Sequence, residues 1–212
     1  MKYIIMCGGE YQEWREPRHL IKIRGEPIVA RTIRMLREHG VEDIAISSND
    51  QRFEGLGVPV LRHENGYVAE APHMTNGKWC DAFYPTDEPT CYIFGDVVFS
   101  PDAIRTIVET ETDDIEFFAS ASPFAEEYIK RWAEPFALKV WDTDHLKQAI
   151  GLTEQYESQG LFIRRPIMWE LWAVITGGEL NSIDWGSYVV INDYTCDVDE
   201  PADVAMFDHI NV

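Results

Sequence analysis

Two groups of residues in this chain have the types and spacing for phosphate chemistry. In the first, Gly8-Gly9 directly follows the apolar run Tyr3–Cys7, and Arg15, Arg18 and Lys22 come shortly after. A glycine turn at a strand end lets backbone N–H groups approach an anion closely. The 212 residues include 18 Lys and Arg against 37 Asp and Glu, for a net charge of −19. Positive charge is scarce, so a local cluster of it beside a glycine turn calls for an anionic partner, and a phosphate-bearing ligand meets that need. In the second group, Asp96 follows the buried run Cys91–Phe94 and Gly95, at a strand's carboxyl end, where ligands bind in open α/β sheets. A hard ion such as Mg²⁺ takes one or two carboxylates plus phosphate oxygens. The acidic tail Asn192–Asp203 offers a second carboxylate among Asp193, Asp197, Asp199 and Asp203.

Each of these residues also has a plainer reading. Gly8-Gly9 suits an ordinary tight turn, and it forms neither a P-loop nor a dinucleotide fingerprint. A lone Arg or Lys is usually a solvated charge. Asp96 suits a turn cap, Asp199 the N-cap of a last helix, and Asp203 a first-turn acid favoured by the helix dipole. Trp169, Trp172 and Trp185 read as core in preference to a stacking platform. The six histidines show no metal-ligand spacing, and Cys7, Cys80, Cys91 and Cys196 form no C-x-x-C pair, so a zinc site or a disulfide framework is not expected.

Alternating strand and helix signals position these groups. Tyr3–Cys7 predicts a first strand. Ile28, Val29, Ile33 and Leu36 have helical spacing between Pro27 and Gly40. Further strands are expected at Ile44–Ser47, Val58–Leu61, Cys91–Phe94, Ile115–Ser120, Phe136–Trp141 and Val189–Ile191. Helices are expected from Pro101, with Ser100 as N-cap, at Asp144–Tyr156, at Pro166–Thr176, and from Glu200-Pro201 with Val204, Phe207 and Ile210 on one face. Residues 64–76 read as a long loop and Lys78–Phe83 as the start of a short helix. This order predicts an α/β fold with a largely parallel sheet. There is no internal repeat or low-complexity linker, so a single domain over 1–212 is expected, with 123–186 as an acceptor-binding subregion.

Composition removes several function classes. The acidic balance argues against sequence-independent nucleic-acid binding, which relies on cations at the phosphates, and against an anionic membrane surface. No run approaches the length of a membrane span. The N-terminus has one lysine, a short apolar run and no cleavage pattern, so it reads as a core strand and not a signal peptide. The expectation is a cytoplasmic protein with reduced thiols, and a homodimer stays open.

Three stretches in order, Tyr3–Gly9, Pro17-Arg18-His19-Leu20-Ile21 and Gly25-Glu26-Pro27-Ile28, together resemble the opening of the sugar-phosphate nucleotidyltransferases, MobA-like and cytidylyltransferase-like. Gly95-Asp96-Val97-Val98-Phe99 resembles that family's metal-binding Gly-Asp motif. Val198-Asp199-Glu200-Pro201-Ala202-Asp203 is similar to its closing Asp-x-Pro-Glu-Asp signature, with the metal-ligand aspartate matching Asp199 and Asp197 as the other candidate. In two departures, Glu10 and Glu13 enter the glycine loop, and the family lysine falls on Arg18, with Lys22 as a nearby substitute.

The resemblance implies a glycosyltransferase-A-like fold, a three-layer arrangement with a mostly parallel mixed sheet between helices. It implies Mg²⁺-dependent transfer of a nucleotidyl group from an NTP to a sugar phosphate or similar phosphorylated acceptor, releasing pyrophosphate. Arg15, Arg18 and Lys22 would work on the phosphates. Met6, Cys7, Gly8 and Gly9, with the loop around Asn76, Gly77 and Lys78, would hold the nucleotide, and Asp96 and Asp199 the metal. The alternatives are a glycosyltransferase using a finished nucleotide sugar and a non-catalytic nucleotide-binding relative.

Overall fold

Strand β1 (Lys2–Met6) is apolar at every position after its lysine because another strand lies on each side of it and a core lies on each face. In the computed structural model, which describes residues 1–8, 16–64, 79–120, 133–182 and 186–207, alternate β1 side chains enter different cores. Tyr3, Ile5 and Cys7 join one cluster with Ile33 and Leu36, while Ile4 and Met6 join another with Leu146, Trp169 and Leu171.

The first cluster lies under two helices, α1 (Ile28–Glu38) and α2 (Pro101–Glu109). Helix α1 ends where Gly40 takes φ +80°, a conformation that costs a glycine little. The Ser100 hydroxyl accepts from the Ala103 N–H at 2.9 Å, and Pro101 opens α2, as the sequence predicts. The second cluster lies under α3 (Thr143–Ser158) and α4 (Met168–Ile175). Trp169 and Trp172 are buried there against Phe117, with ring centroids at 5.1 and 5.4 Å, so both are core residues. Helix α4 starts later than Pro166, because the Glu170 carboxylate accepts from the Ile167 N–H at 2.9 Å and caps the helix at that residue.

With β4 (Ile44–Ser47), β5 (Val60–Leu61), β6 (Thr90–Phe94), β8 (Ile115–Ala119), β9 (Pro135–Val140) and β10 (Val189–Val190), β1 forms a seven-stranded sheet ordered β10-β8-β9-β6-β1-β4-β5. All its pairings are parallel except those of β9, which runs antiparallel to both β6 and β8. Burying β9 on both faces also buries Lys139, whose Nζ donates to the Val108 and Thr110 carbonyls at 3.0 and 2.6 Å at the end of α2. Those carbonyls have no partner within the helix, so the ammonium satisfies them.

The chain lays β4 and β5 on one side of β1, then crosses back to lay β6 on the other. A crevice opens at the carboxyl ends of neighbouring strands where the order reverses in this way.

Two small ribbons lack sequence signals and were not expected. In one, β2 (Lys22–Ile23) and β3 (Glu26–Pro27) form a hairpin closed by Arg24 at φ 51° and Gly25 at φ 88°, the positive-φ pair that tight hairpins use. In the other, β7 (Val97–Val98) pairs antiparallel with β11 (Cys196–Asp197). A third core joins them: Ile21, Ile23 and Ile28 pack with Val98, Cys196, Val198 and Phe207, the last just after α5 (Pro201–Met206). Within Lys78–Phe83, expected to open a helix, Trp79–Ala82 forms a single 3-10 turn. Most of the expected loop at 64–76 lies outside the described residues, as do Trp185, Ile210 and part of 123–186.

Candidate active site

Gly95 ends β6 at the crevice beside β1. Its N–H donates to the Met6 carbonyl at 3.0 Å. A Cβ there would lie 2.6 Å from that same oxygen, 2.7 Å from Cys7 Sγ and 2.9 Å from His19 Cδ2. Only a residue without a side chain lets the strand end close down this far, which places Asp96 directly over the end of β1.

The β7–β11 ribbon brings the chain's tail to the same place. The Val198 N–H donates to the Asp96 carbonyl at 2.9 Å, so Asp199 emerges beside Asp96. The tail is anchored further back, where Ser100 N–H donates to Thr195 Oγ1 at 3.0 Å and Ser100 Oγ donates to the Asp193 carboxylate. Asp199 is not the N-cap of α5. Glu200 takes that position, and the Asp203 carboxylate accepts from the Asp199 and Glu200 N–H groups at 2.9 and 2.8 Å. Asp203 is therefore the capping acid, and the Asp199 side chain does not cap the helix.

Asp199 and Asp96 both pair with Arg18. Arg18 Nη2 lies 2.5 Å from Asp96 Oδ2, and Nη1 lies 2.6 Å from Asp199 Oδ1. Burial opposes the charge on Arg18, but Asp96, Asp199 and Asp197 outweigh it and hold the guanidinium protonated more firmly than usual. The three side chains grade outward, Asp96 being 14 % exposed, Arg18 24 % and Asp199 51 %. Asp197 is buried on β11 and adds its charge to the field at Arg18.

Arg18 is held by a 3-10 turn, Arg18–Leu20, which follows Pro17. His19 in that turn is buried, with its ring edge-on to Phe53 at 5.8 Å. Burial and the Arg18 charge push its pKa down to about 4 against the pull of Asp96 and Asp50, so it is neutral near pH 7. Burial, and then the Asp96 charge, push the Cys7 thiol well up. Neither group is set to carry a proton or attack as a nucleophile near neutrality.

Of the residues singled out from sequence, Arg18, Asp96 and Asp199 meet at one point, with Met6, Cys7 and Gly8 at the adjoining end of β1. Lys22 stands exposed on β2. Gly9, Glu10, Glu13, Arg15, Asn76, Gly77 and Lys78 lie outside the described residues. Sequence reasoning missed the Arg18 bridge and the roles of Ser100, Asp193 and Thr195; the only trace of the latter was the polar character of the tail. Among the described residues, no group of three or more His, Cys, Asp or Glu is placed to hold a metal. A separate cavity of about 250 Å³ lies between β6 and α3, lined by Phe83, Tyr84, Tyr92, Leu146 and Ile150 among others. It is not lined by Arg18, Asp96 or Asp199.

The family whose model matches the chain is the MobA-like NTP transferase domain, over residues 3–162. The chain belongs to this family. No curated protein matches it. Among solved structures, the MobA-like chain is similar to the inositol-1-phosphate CTP transferase from T. maritima, with 15 % identity, a TM-score of 0.60, and coverage of 98 % of this chain and 94 % of that one. It is also similar to 2-C-methyl-D-erythritol 4-phosphate cytidylyltransferase from Thermus thermophilus, with 11 % identity, a TM-score of 0.57, and coverage of 98 % and 96 %. At these identities the likeness is one of fold. The MobA-like domain thus has the nucleotidyltransferase architecture expected from its motifs, with the two aspartates at the sheet's switch point. Among the described residues, no helix is long and apolar enough to cross a membrane.

Proposed function

We propose that this chain is a Mg²⁺-dependent nucleotidyltransferase that moves an NMP group from an NTP to a phosphorylated sugar or polyol, releasing pyrophosphate. One observation carries the reading. Asp96 and Asp199, far apart in sequence, converge on a single guanidinium at the carboxyl edge of β1 and β6. The two structural neighbours, an inositol-1-phosphate CTP transferase and a 2-C-methyl-D-erythritol 4-phosphate cytidylyltransferase, support the acceptor class and put CTP first among donors to try.

The donor set fits a magnesium ion. Asp96 and Asp199 are hard oxygen ligands, and their carboxylates flank one cationic group, each against a different terminal nitrogen of Arg18. Two carboxylates with phosphate and water oxygens make up the coordination this ion prefers. Bound there, Mg²⁺ would supply charge neutralisation at the phosphates and orientation of the reacting groups.

The remaining work falls to the chain. In the reaction, an acceptor phosphate oxygen forms a bond to the α-phosphorus as the bond from that phosphorus to the β-phosphate bridging oxygen breaks, and the pyrophosphate carries the electron pair away. The nucleophile is already an anion, so no general base is needed, in keeping with a neutral His19 and an inert Cys7. Catalysis then rests on positioning and charge stabilisation. Asp96 and Asp199 would hold the ion, Arg18 would contribute a fork of donors to phosphate oxygens, and the backbone at Gly8, just past β1, would face the nucleotide.

The test is pyrophosphate release from CTP, GTP, UTP and ATP against a panel of sugar and polyol phosphates, in wild type and in Asp96→Asn. Selective turnover that falls at least about 100-fold in the variant is expected. Full activity in Asp96→Asn would sink the metal assignment, and absence of turnover with every pair would sink the reaction.

A further inference from the structure

The residue proposed to meet the phosphates does not face open solvent waiting for them. Its guanidinium is spent on the two carboxylates proposed to hold the metal, at 2.5 and 2.6 Å. Three aspartates, Asp96, Asp197 and Asp199, crowd this corner of a chain whose net charge is −19. Without a cation among them they would repel one another. Arg18 supplies that cation in the absence of ligand.

We propose that Arg18 is a placeholder cation, seated between Asp96 and Asp199 until a triphosphate draws it away, so that nucleotide and divalent ion bind as an interdependent pair. This rests on the functional reading above and adds an order of assembly to it. A metal ion arriving alone must break both ion pairs of a guanidinium that is only 24 % exposed, which is costly. When a triphosphate is present, its oxygens accept the same fork of donors, so Arg18 exchanges two carboxylates for phosphate and the aspartates are released to the ion. Arg18 Nε is buried with no hydrogen-bond partner among the described residues, so the resting bridge leaves the Nε–H unused.

The geometry suits a side-chain switch. Backbone motion at Arg18 is restrained by Pro17 before it, by the Leu20 N–H donating to the Pro17 carbonyl at 2.8 Å, and by buried His19 after it. The swing is left to the long arginine side chain, whose rotatable bonds permit it once the two ion pairs part. Coupling of this kind is reciprocal: each ligand raises the affinity of the other by the same factor.

The experiment is calorimetric titration of Mn²⁺, as a Mg²⁺ substitute, into wild type and Arg18→Gln, each with and without the NTP that binds most tightly in a direct titration. In wild type, the nucleotide should raise Mn²⁺ affinity about 10- to 100-fold. In Arg18→Gln, Mn²⁺ should bind without nucleotide more tightly than in wild type, and most of the coupling should vanish. Should Arg18→Gln not fold, Arg18→Lys serves, because an ammonium keeps the charge but lacks the rigid fork that sets one nitrogen against each carboxylate, and it should show a smaller gain in the same direction. Mn²⁺ affinity in wild type that ignores a nucleotide which does bind overturns the placeholder and leaves the functional reading standing. So does an Arg18 variant whose nucleotide-free Mn²⁺ affinity is no higher than that of wild type. If no NTP binds at all, it is the functional reading that fails.

Discussion

Gly95 lies so close to Met6 that a Cβ at position 95 would sit 2.6 Å from the Met6 carbonyl oxygen, inside any real contact distance. The closest atoms are a backbone oxygen, a buried sulfur and a buried ring, none of which is a flexible chain end that swings aside. Gly95→Ala should therefore push the end of β6 away from β1 and carry Asp96 with it. Overpacking of this sort costs about 1–3 kcal/mol, read as a lower urea midpoint. Pyrophosphate release should fall further than stability explains, because the carboxylate is displaced. An alanine variant with native stability and turnover would show that this closure is unimportant.

Phe207 holds the other aspartate from a distance. It is almost fully buried in the third core with Ile21, Ile23 and Val198. Phe207→Ala should cost about 3–5 kcal/mol and loosen the tail that carries Asp199. Hydrogen exchange should show lost protection at the Val198 N–H, which bonds to the Asp96 carbonyl, while the Ile4 and Ile5 amides in β1 stay protected.

His19 predicts a pH dependence with a definite sign. Its pKa is about 4 in the fold against 6.5 for the free side chain. Between these values the unfolded chain binds more protons than the native one, so stability rises with pH across that window. The contribution is complete above about pH 6.5 and is lost as pH falls toward 4, by up to about 3 kcal/mol. Urea midpoints for wild type and His19→Gln at pH 7, 6 and 5 should converge as the solution is acidified. Parallel curves would mean that the imidazole is not held neutral.

Metal removal should separate activity from stability. Arg18 already bridges Asp96 and Asp199 in the nucleotide-free protein, so the fold does not depend on an ion between these two carboxylates. EDTA should therefore abolish pyrophosphate release and leave the melting temperature of the nucleotide-free protein unchanged. A marked drop in melting temperature on chelation would place a structural metal in the fold.

Much of the architecture was legible because the strongest signals are local. The run Tyr3–Cys7 is uniformly apolar because β1 is buried on both faces, and Ile44–Ser47 matches β4 residue for residue. The Ser100-Pro101 start of α2 was readable because a cap and a fixed φ are properties of neighbouring residues. The α3 boundary moved slightly for a similar reason: the Asp142 carboxylate accepts from the Asp144 and His145 N–H groups and caps the helix earlier than its apolar pattern suggests. The two-residue ribbons gave no such signal. Segments so short have no periodicity to read, and the β7–β11 partners are distant in sequence.

The candidate site divides along the same line. The amino-acid sequence by itself determined which groups carry charge, that Gly95-Asp96 ends a buried strand, and that the motifs occur in the order of a nucleotidyltransferase. Only the tertiary structure decided what Arg18 touches. Its partners are 78 and 181 residues away, and they reach it because the hairpin, the β7–β11 ribbon and Phe207 bury one shared apolar core. That burial has no direction in sequence. It draws the chain's beginning and its tail together, and so seats a cation read as a phosphate binder between two carboxylates read as metal ligands.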